Sequence, residues 1–368
     1  MRVSLVAPLV TPLRDPQLGG AQTAVCELSR GLVLAGDEVE LHAARGSRVR
    51  GVPLRIVSDA PFEGELLRFA PAPPPGAHRP PDPGNRPWPA LQAGAFLGIA
   101  DHIRRRHPDV AHCHAFDWPA FYALAATGVP VVHTLHLGPV SDPVVASATA
   151  ASRCRPRPRF VTGSEACAAA WRRHIGAIAV IPFGVDTQGI RFRARPEPDL
   201  AIIAGRISPE KATHISITAA RRAGMRSLVV GPVYDQAYHR EKVRPLLRSG
   251  DATWIGPVTR ARLSRLYGRA AVALLASRWD EPFGLVALEA NLAGTPVAGF
   301  ARGGLPEVVG AWGGVLTEDE TVRGLALALK AALSLDRARV RAATARRHSL
   351  ELMVDRYRRL YRSMPATG

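Results

Sequence analysis

Val3-Ser-Leu-Val-Ala7, then Gly19-Gly20-Ala21-Gln22 opening a stretch of helical spacing to about Ala35, then Val39-Glu-Leu-His-Ala-Ala44: these first 44 residues decide the fold. The first run is short, apolar and bounded by proline, as a buried strand is. The apolar residues after Gly20 recur every three to four positions, as on one helix face, and Gly36-Asp37 stops them. A second strand follows at once. Strand, helix, strand at this length is the unit of a parallel sheet. The pattern recurs in Asp109-Val-Ala-His-Cys-His114 and Val129-Pro-Val-Val-His-Thr-Leu-His136, separated by a helical stretch from Pro119 to Ala126. A second series begins at Leu200-Ala-Ile-Ile-Ala-Gly205 and continues through Ser227-Leu-Val-Val-Gly231, Ala271 to Ala276 and Pro296 to Phe300. The chain therefore reads as α/β, with two αβ-alternating domains joined near residue 185 by a linker from Pro182 to Pro198.

Composition agrees with two domains and narrows the partners. The chain has 368 residues, 47% of them hydrophobic, enough for two cores of ordinary size. No run approaches the ~18 consecutive apolar residues of a membrane span, and the apolar start ends at Pro8, too early for a secretory signal, so a cytoplasmic location is expected. Cys26, Cys113, Cys154 and Cys167 are far apart with no CxxC pair, which points to plain thiols rather than a zinc site or disulfide framework. A net charge of +17 raises nucleic acid as a partner, but only Lys211, Lys242 and Lys330 are lysines and the arginines are scattered. With 6% aromatic residues, base stacking is poorly served, so nucleic acid is not expected. A membrane surface is not favoured either, because no strongly basic amphipathic helix stands out. The stretch Pro71 to Pro89 is too rich in proline for regular structure and reads as a long loop.

Three places carry chemistry. Gly19 and Gly20 let a ligand approach backbone amides at a helix start, or else form a plain tight turn. Gly205-Arg206-Ile-Ser-Pro-Glu-Lys211 follows a strand and precedes a helix. A guanidinium fork and a lysine at a strand's carboxyl end suit a diphosphate; the alternative is a solvated turn with a Glu210–Lys211 surface pair. Ser277-Arg-Trp-Asp-Glu281-Pro-Phe283-Gly284-Leu285-Val-Ala-Leu-Glu289 places one carboxylate before a helix and one in its second turn, with free amides between. At ~1.5 Å per residue the two stand on the order of 10 Å apart, loose for a glycosidase pair but suited to a polyhydroxyl ligand with an anion at the amides. The absence of GxGxxG after the first strand speaks against a nicotinamide enzyme. His112 and His114 would share a strand face, yet two ligands without a partner make no metal site.

Together Gly19-Gly20, His112-Cys-His114, His136, Gly184-Val-Asp186, Gly205-Arg206 to Lys211, Glu281-x7-Glu289 and Gly303-Gly304-Leu-Pro-Glu307 resemble the retaining GT-B glycosyltransferases of family 4, over nearly the whole chain and in the right order. The resemblance implies two Rossmann-like domains facing a cleft: residues 1–185 on the acceptor side, 186–349 binding the nucleotide sugar, and 350–368 as a helix crossing back to the first domain. It implies Arg206 and Lys211 on the donor diphosphate, Glu289 on the ribose and Glu281 on the transferred sugar. The amides of Phe283, Gly284 and Leu285, with Gly19 and Gly20, would complete the cage. His136 would lie beside the reacting carbon, with His112 and His114 either lining the cleft or buried as structural histidines. The implied activity is hexosyl transfer with retention, by front-face attack and without a metal or other cofactor. The donor would be a nucleotide-diphosphate sugar and the acceptor a small-molecule hydroxyl, a secondary metabolite before an envelope glycolipid; oligomeric state is not legible. Ala212 departs from the glycine common after the lysine. The competing expectations are a nucleotide-sugar 2-epimerase on the same architecture and a basic, non-enzymatic binding protein.

Overall fold

The computed structural model describes residues 1–17, 19–57 and 88–365, the side chains of 88–91 excepted. Two wholly parallel sheets form. The first has seven strands, β1 (Arg2–Val6), β2 (Glu38–Ala44), β3 (Leu54–Val57), β4 (Val110–Cys113), β5 (Val131–Thr134), β6 (Arg159–Thr162) and β7 (Ala179–Val180), in the order β3-β2-β1-β4-β5-β6-β7. The second has six, β8 (Glu197–Ala204), β9 (Arg226–Val230), β10 (Ala252–Trp254), β11 (Ala270–Leu275), β12 (Val297–Phe300) and β13 (Gly314–Thr317), in the order β10-β9-β8-β11-β12-β13. Strands such as Val110–Cys113 and Val297–Phe300 are buried at every residue, as strands covered by helices on both faces must be. That is the GT-B arrangement of two Rossmann-like units.

The strand order reverses direction between β1 and β4 in one sheet and between β8 and β11 in the other. A crevice opens at the carboxyl ends of strands at such a point, because the connecting helices diverge to opposite faces. Gly19-Gly20 lies on the connection after β1, His114 directly after β4, Arg206 after β8 and Glu281 after β11. The residues with chemistry thus collect at both switch points.

The first helix runs Gly20–Leu34, close to the span read from its periodicity. Of the loop expected from Pro71 to Pro89, residues 71–87 lie outside the described residues, and Trp88 and Pro89 already begin a helix, Trp88–Arg106. Proline is tolerated there because the first-turn amides have no partner inside the helix. The final helix, Leu350–Arg362, starts at Ser349, whose hydroxyl accepts from the Leu352 amide at 3.2 Å. It crosses back onto the first unit: a Cβ built on Gly31 would stand 2.5 Å from Val354, so only glycine admits this helix contact. Tyr357 and Tyr361 of the same helix bond to Thr134 and His112 of the first sheet, at 3.0 and 2.6 Å. No helix among the described residues is long and apolar enough to cross a membrane.

Candidate active site

On the second unit, the chain leaving β8 turns sharply through Gly205 and a short helical turn, Pro209–Lys211. The Arg206 guanidinium lies 5.0 Å from the Tyr234 ring centroid, and its Nε donates to Glu210 Oε1 at 3.1 Å. Ser208 donates to the same oxygen at 2.6 Å. Lys211 reaches instead to Glu281, to which its ammonium donates, and sits 5.2 Å from the Trp279 ring centroid. The alternative of a Glu210–Lys211 surface pair is therefore not what forms. Ser277 Oγ also donates to Glu281 Oε1, at 2.8 Å. Burial pushes the Glu281 carboxyl upward, but the charge and hydrogen bond of Lys211 outweigh it and hold the group below the ordinary carboxylate range. Glu281 is an ionised, nearly buried carboxylate. Ala212 has left-handed angles (φ 46°, ψ 43°) and no exposure, which explains why glycine suits this position: a Cβ is strained there, although this one is packed.

The helix Leu285–Leu292 begins at Gly284, whose φ of 104° few other residues adopt and whose added Cβ would meet Leu305 at 2.7 Å. The first-turn amides face the space before it, and Glu289 stands one turn further on, as the spacing predicts. Glu289 is not alone. Arg260 donates Nε to Glu289 Oε1 at 3.0 Å and pairs through another nitrogen with Glu27, which the first helix of the other unit supplies and which is fully buried. Glu27 Oε2 further accepts from the Asp186 amide at 3.0 Å, and the Arg260 amide donates to Asp15 Oδ1 at 2.9 Å. Burial raises the Glu289 carboxyl and Arg260 partly offsets this. For Arg260 burial acts downward, and the two carboxylates reverse it, so its guanidinium is held cationic. Glu27, Arg30, Asp186, Arg260 and Glu289 line a polar cavity of about 210 Å³.

Across the gap, Gly19 caps the first helix and Gly20 starts it, with room for a Cβ on Gly20 only to 3.3 Å from Leu285. The two helix starts thus meet at the cleft. His136 follows β5 and stacks on Phe183 (centroids 5.3 Å), and Phe183 in turn packs edge-on against Phe283 at 5.0 Å. One aromatic ring therefore separates His136 from the amides before Glu289's helix. His136 Nε2 and His114 Nδ1 are 3.0 Å apart, so one must donate to the other. Burial lowers His136 to about 3, leaving a neutral imidazole. His112 is structural: Thr134 and Tyr361 occupy its two nitrogens at 2.7 and 2.6 Å. His114 is buried beside it, ring centroids 4.1 Å apart. Between these units Ser164 donates to the Pro282 carbonyl at 2.5 Å, and both oxygens of Glu307 accept from the Glu165 and Ala166 amides at 2.7 and 2.8 Å.

The family described as Glycosyltransferase Family 4 matches residues 18–188, and that described as Glycosyl transferases group 1 matches residues 187–349. The D-inositol 3-phosphate glycosyltransferase of Kineococcus radiotolerans is 30% identical over 94% of this chain and 90% of its own. The chain belongs to glycosyltransferase family 4. Among solved structures, AviGT4, a glycosyltransferase involved in avilamycin A biosynthesis, superposes with a TM-score of 0.68 at 23% identity, covering 98% of this chain and 96% of that one. Anabaena Alr3699/HepE in complex with UDP and glucose gives 0.74 at 18% identity, over 99% and 100%. Both share the GT-B fold.

In this family 4 glycosyltransferase Lys211 and Glu281 meet directly on the second unit, where Arg206 bonds to Glu210 and Glu289 to Arg260, and Gly20 of the first unit approaches Leu285. The sequence reading missed Glu27, Arg260 and Phe183. Arg260 opens a helix as one arginine among many, and Glu27 is the one acidic residue of the first helix, between apolar Val25, Cys26 and Leu28, where an acidic residue facing the core was the one available signal.

Proposed function

We propose that the protein transfers a hexosyl group from a nucleotide-diphosphate sugar to a small-molecule hydroxyl, with retention and without a metal in the transfer step. The observation that carries this reading is that Arg206 and Lys211 follow β8 and the helix start at Phe283–Leu285 follows β11, the two strands that flank the second sheet's switch point. Two cations and a helix start at the carboxyl ends of these strands would give a diphosphate the charge a divalent ion would otherwise supply. Glu289 takes the ribose hydroxyls and Glu281 the hydroxyls of the sugar being moved. Neither carboxylate serves as a nucleophile: Glu281 is tied to Lys211 and Ser277, and Glu289 to Arg260. The acceptor oxygen then attacks on the face the diphosphate leaves. Its proton passes to the departing phosphate oxygen as the C1–O bond breaks, and the anomeric configuration is kept.

His136 contributes a neutral hydrogen-bonding ring, not a positive charge, at the sugar. Beside it Phe116, Leu135, Leu137, Val140, Val144 and Trp171 line a narrow apolar pocket. That lining favours an acceptor with an apolar portion, a secondary metabolite rather than a bare polyol, and so one unlike the inositol 3-phosphate for which the Kineococcus relative is named. Incubation with UDP-, GDP-, ADP- and dTDP-sugars and a panel of hydroxyl acceptors, read by proton coupling at the new anomeric centre, tests the proposal. An inverted product, or isomerised donor formed without acceptor, would refute it.

Two kinetic results are expected. Glu289→Gln keeps Arg260 paired with Glu27, so the fold tolerates it, and the donor KM rises about tenfold with kcat little changed. Glu281→Gln and His136→Ala act where charge and orientation change during transfer, so each lowers kcat, Glu281→Gln by about 100-fold. A change confined to KM in Glu281→Gln would show that it does not address the transferred sugar. Turnover at 25 °C is also expected to survive EDTA, since Arg206 and Lys211 hold the place of the cation; a loss restored by Mg²⁺ or Mn²⁺ would contradict that.

A further inference from the structure

Glu40 and His42 are two residues apart on β2 and so project from one face of the first sheet. The helix Trp88–Arg106 covers that face and brings His102 to them. His102 Nε2 lies 2.7 Å from Glu40 Oε2, and His42 Nε2 lies 3.6 Å from the same oxygen. One ligand atom from each of the three residues falls within 4.8 Å of the others. His42 has no exposure, and neither of its ring nitrogens has a hydrogen-bond partner. A buried imidazole with two idle nitrogens beside a carboxylate and a second imidazole is unusual, because buried polar atoms are nearly always satisfied. Glu40, 30% exposed, opens the cluster to solvent on one side.

We propose that Glu40, His42 and His102 form a zinc site, with water as the fourth ligand, that clamps the helix Trp88–Arg106 to the sheet. A tetrahedral zinc ion with bonds of ~2.0–2.1 Å holds its ligand atoms roughly 3.4 Å apart. The separations of 2.7 and 3.6 Å bracket that value, so small movements of His102 and of the His42 ring suffice. Two imidazoles and a carboxylate are borderline donors that suit zinc better than calcium or magnesium. Arg55 stands opposite His42 in the strand ladder, but it is exposed and its charge is screened by water. Among the described residues none of the three side chains bonds to a cleft residue, so the site is structural and separate from the transfer chemistry. It could not be read from the sequence, because the third ligand lies 60 positions from the second.

The test uses the full chain, stripped with a chelator and dialysed. Titration calorimetry with Zn²⁺ alone should show one equivalent bound per chain, and Co²⁺ in its place should give the visible absorption of a tetrahedral site. At 100 times its Kd, Zn²⁺ should raise the thermal midpoint on the order of 5 °C. Glu40→Gln, at the partly exposed side of the cluster, and His102→Gln, at a buried ring less enclosed than His42, should each weaken Zn²⁺ at least about 100-fold and abolish that rise. No stoichiometric binding by the unaltered chain, or binding that both variants retain, overturns the proposal.

Discussion

Lys211→Ala is expected to lower kcat/KM by about 1,000-fold, roughly 4 kcal/mol of transition-state stabilisation. Lys211 supplies a mobile point charge where negative charge grows on the leaving diphosphate, and in the resting cleft it is the cation that keeps Glu281 ionised. Its removal therefore acts twice. The diphosphate loses a donor, and Glu281 is left nearly buried, keeping the Ser277 hydroxyl but without its paired ammonium, a loss of up to about 3 kcal/mol in stability. The two effects separate in a double variant. Lys211→Ala/Glu281→Gln removes the stranded charge, so thermal stability should recover while activity should not. Arg206→Ala should weaken binding of the free nucleoside diphosphate by a smaller factor, about tenfold to 100-fold, since it removes one charged hydrogen bond and leaves Glu210 held by Ser208. Calorimetry and steady-state kinetics measure both. A single Lys211→Ala variant within tenfold of the parent enzyme would remove this lysine from the diphosphate site.

The sequence allowed the parallel sheets and the second unit's half of the site to be read because both rest on local spacing. A strand, a turn and a helix start are contiguous in the chain, and Gly284, Leu285 and Glu289 follow one another at fixed rise, so the loop-to-helix geometry was legible before any coordinate. Strands β3, β7 and β10 are short, of two to four residues, and carry little pattern; the sheet, not their own composition, makes them strands. What sequence could not show is pairing across the chain. Glu27 meets Arg260 across 233 positions and His112 meets Tyr361 across 249, and nothing in one segment announces the other. The same holds for the histidines. Sequence leaves His112 open between cleft and core; the fold buries it fully, with the Tyr361 and Thr134 hydroxyls on its two ring nitrogens.

Those buried histidines give the second large effect: the protein should lose its fold cooperatively between about pH 5 and 6, well above the range in which carboxylate pairs fail. Burial pushes His133 and His136 down to about 3 and His348 to about 4, and holds His112 and His114 well below the ordinary 6.5. Each folded-state value lies below the unfolded one. Above pH 6.5 both states are neutral and nothing is lost; as pH falls below 6.5 the unfolded chain takes up protons the folded chain refuses. Stability then falls by about 1.4 kcal/mol per pH unit for each such group, until its folded value is reached. Asp117 and Glu289 work in the opposite sense, because burial raises both carboxyls, Asp117 to about 7, and acid relieves them. These five histidines, joined by His42, which burial lowers to about 4, and by His214, also lowered, outweigh the two carboxyls and leave a net loss of several kcal/mol by pH 5, comparable with a whole domain's ~5–15 kcal/mol. Circular dichroism against pH at 25 °C measures the midpoint. His133 offers the sharper check, since it lies between Phe121 and Phe160 (centroids 4.7 and 5.5 Å), has no hydrogen-bond partner and takes no part in the cleft. His133→Phe extends that stack, removes one titrating group and should move the acid midpoint downward while leaving turnover at pH 7.5 unchanged. If the parent protein instead stays folded to pH 4, or His133→Phe leaves the midpoint where it was, the buried rings are not neutral and their burial does not govern acid stability.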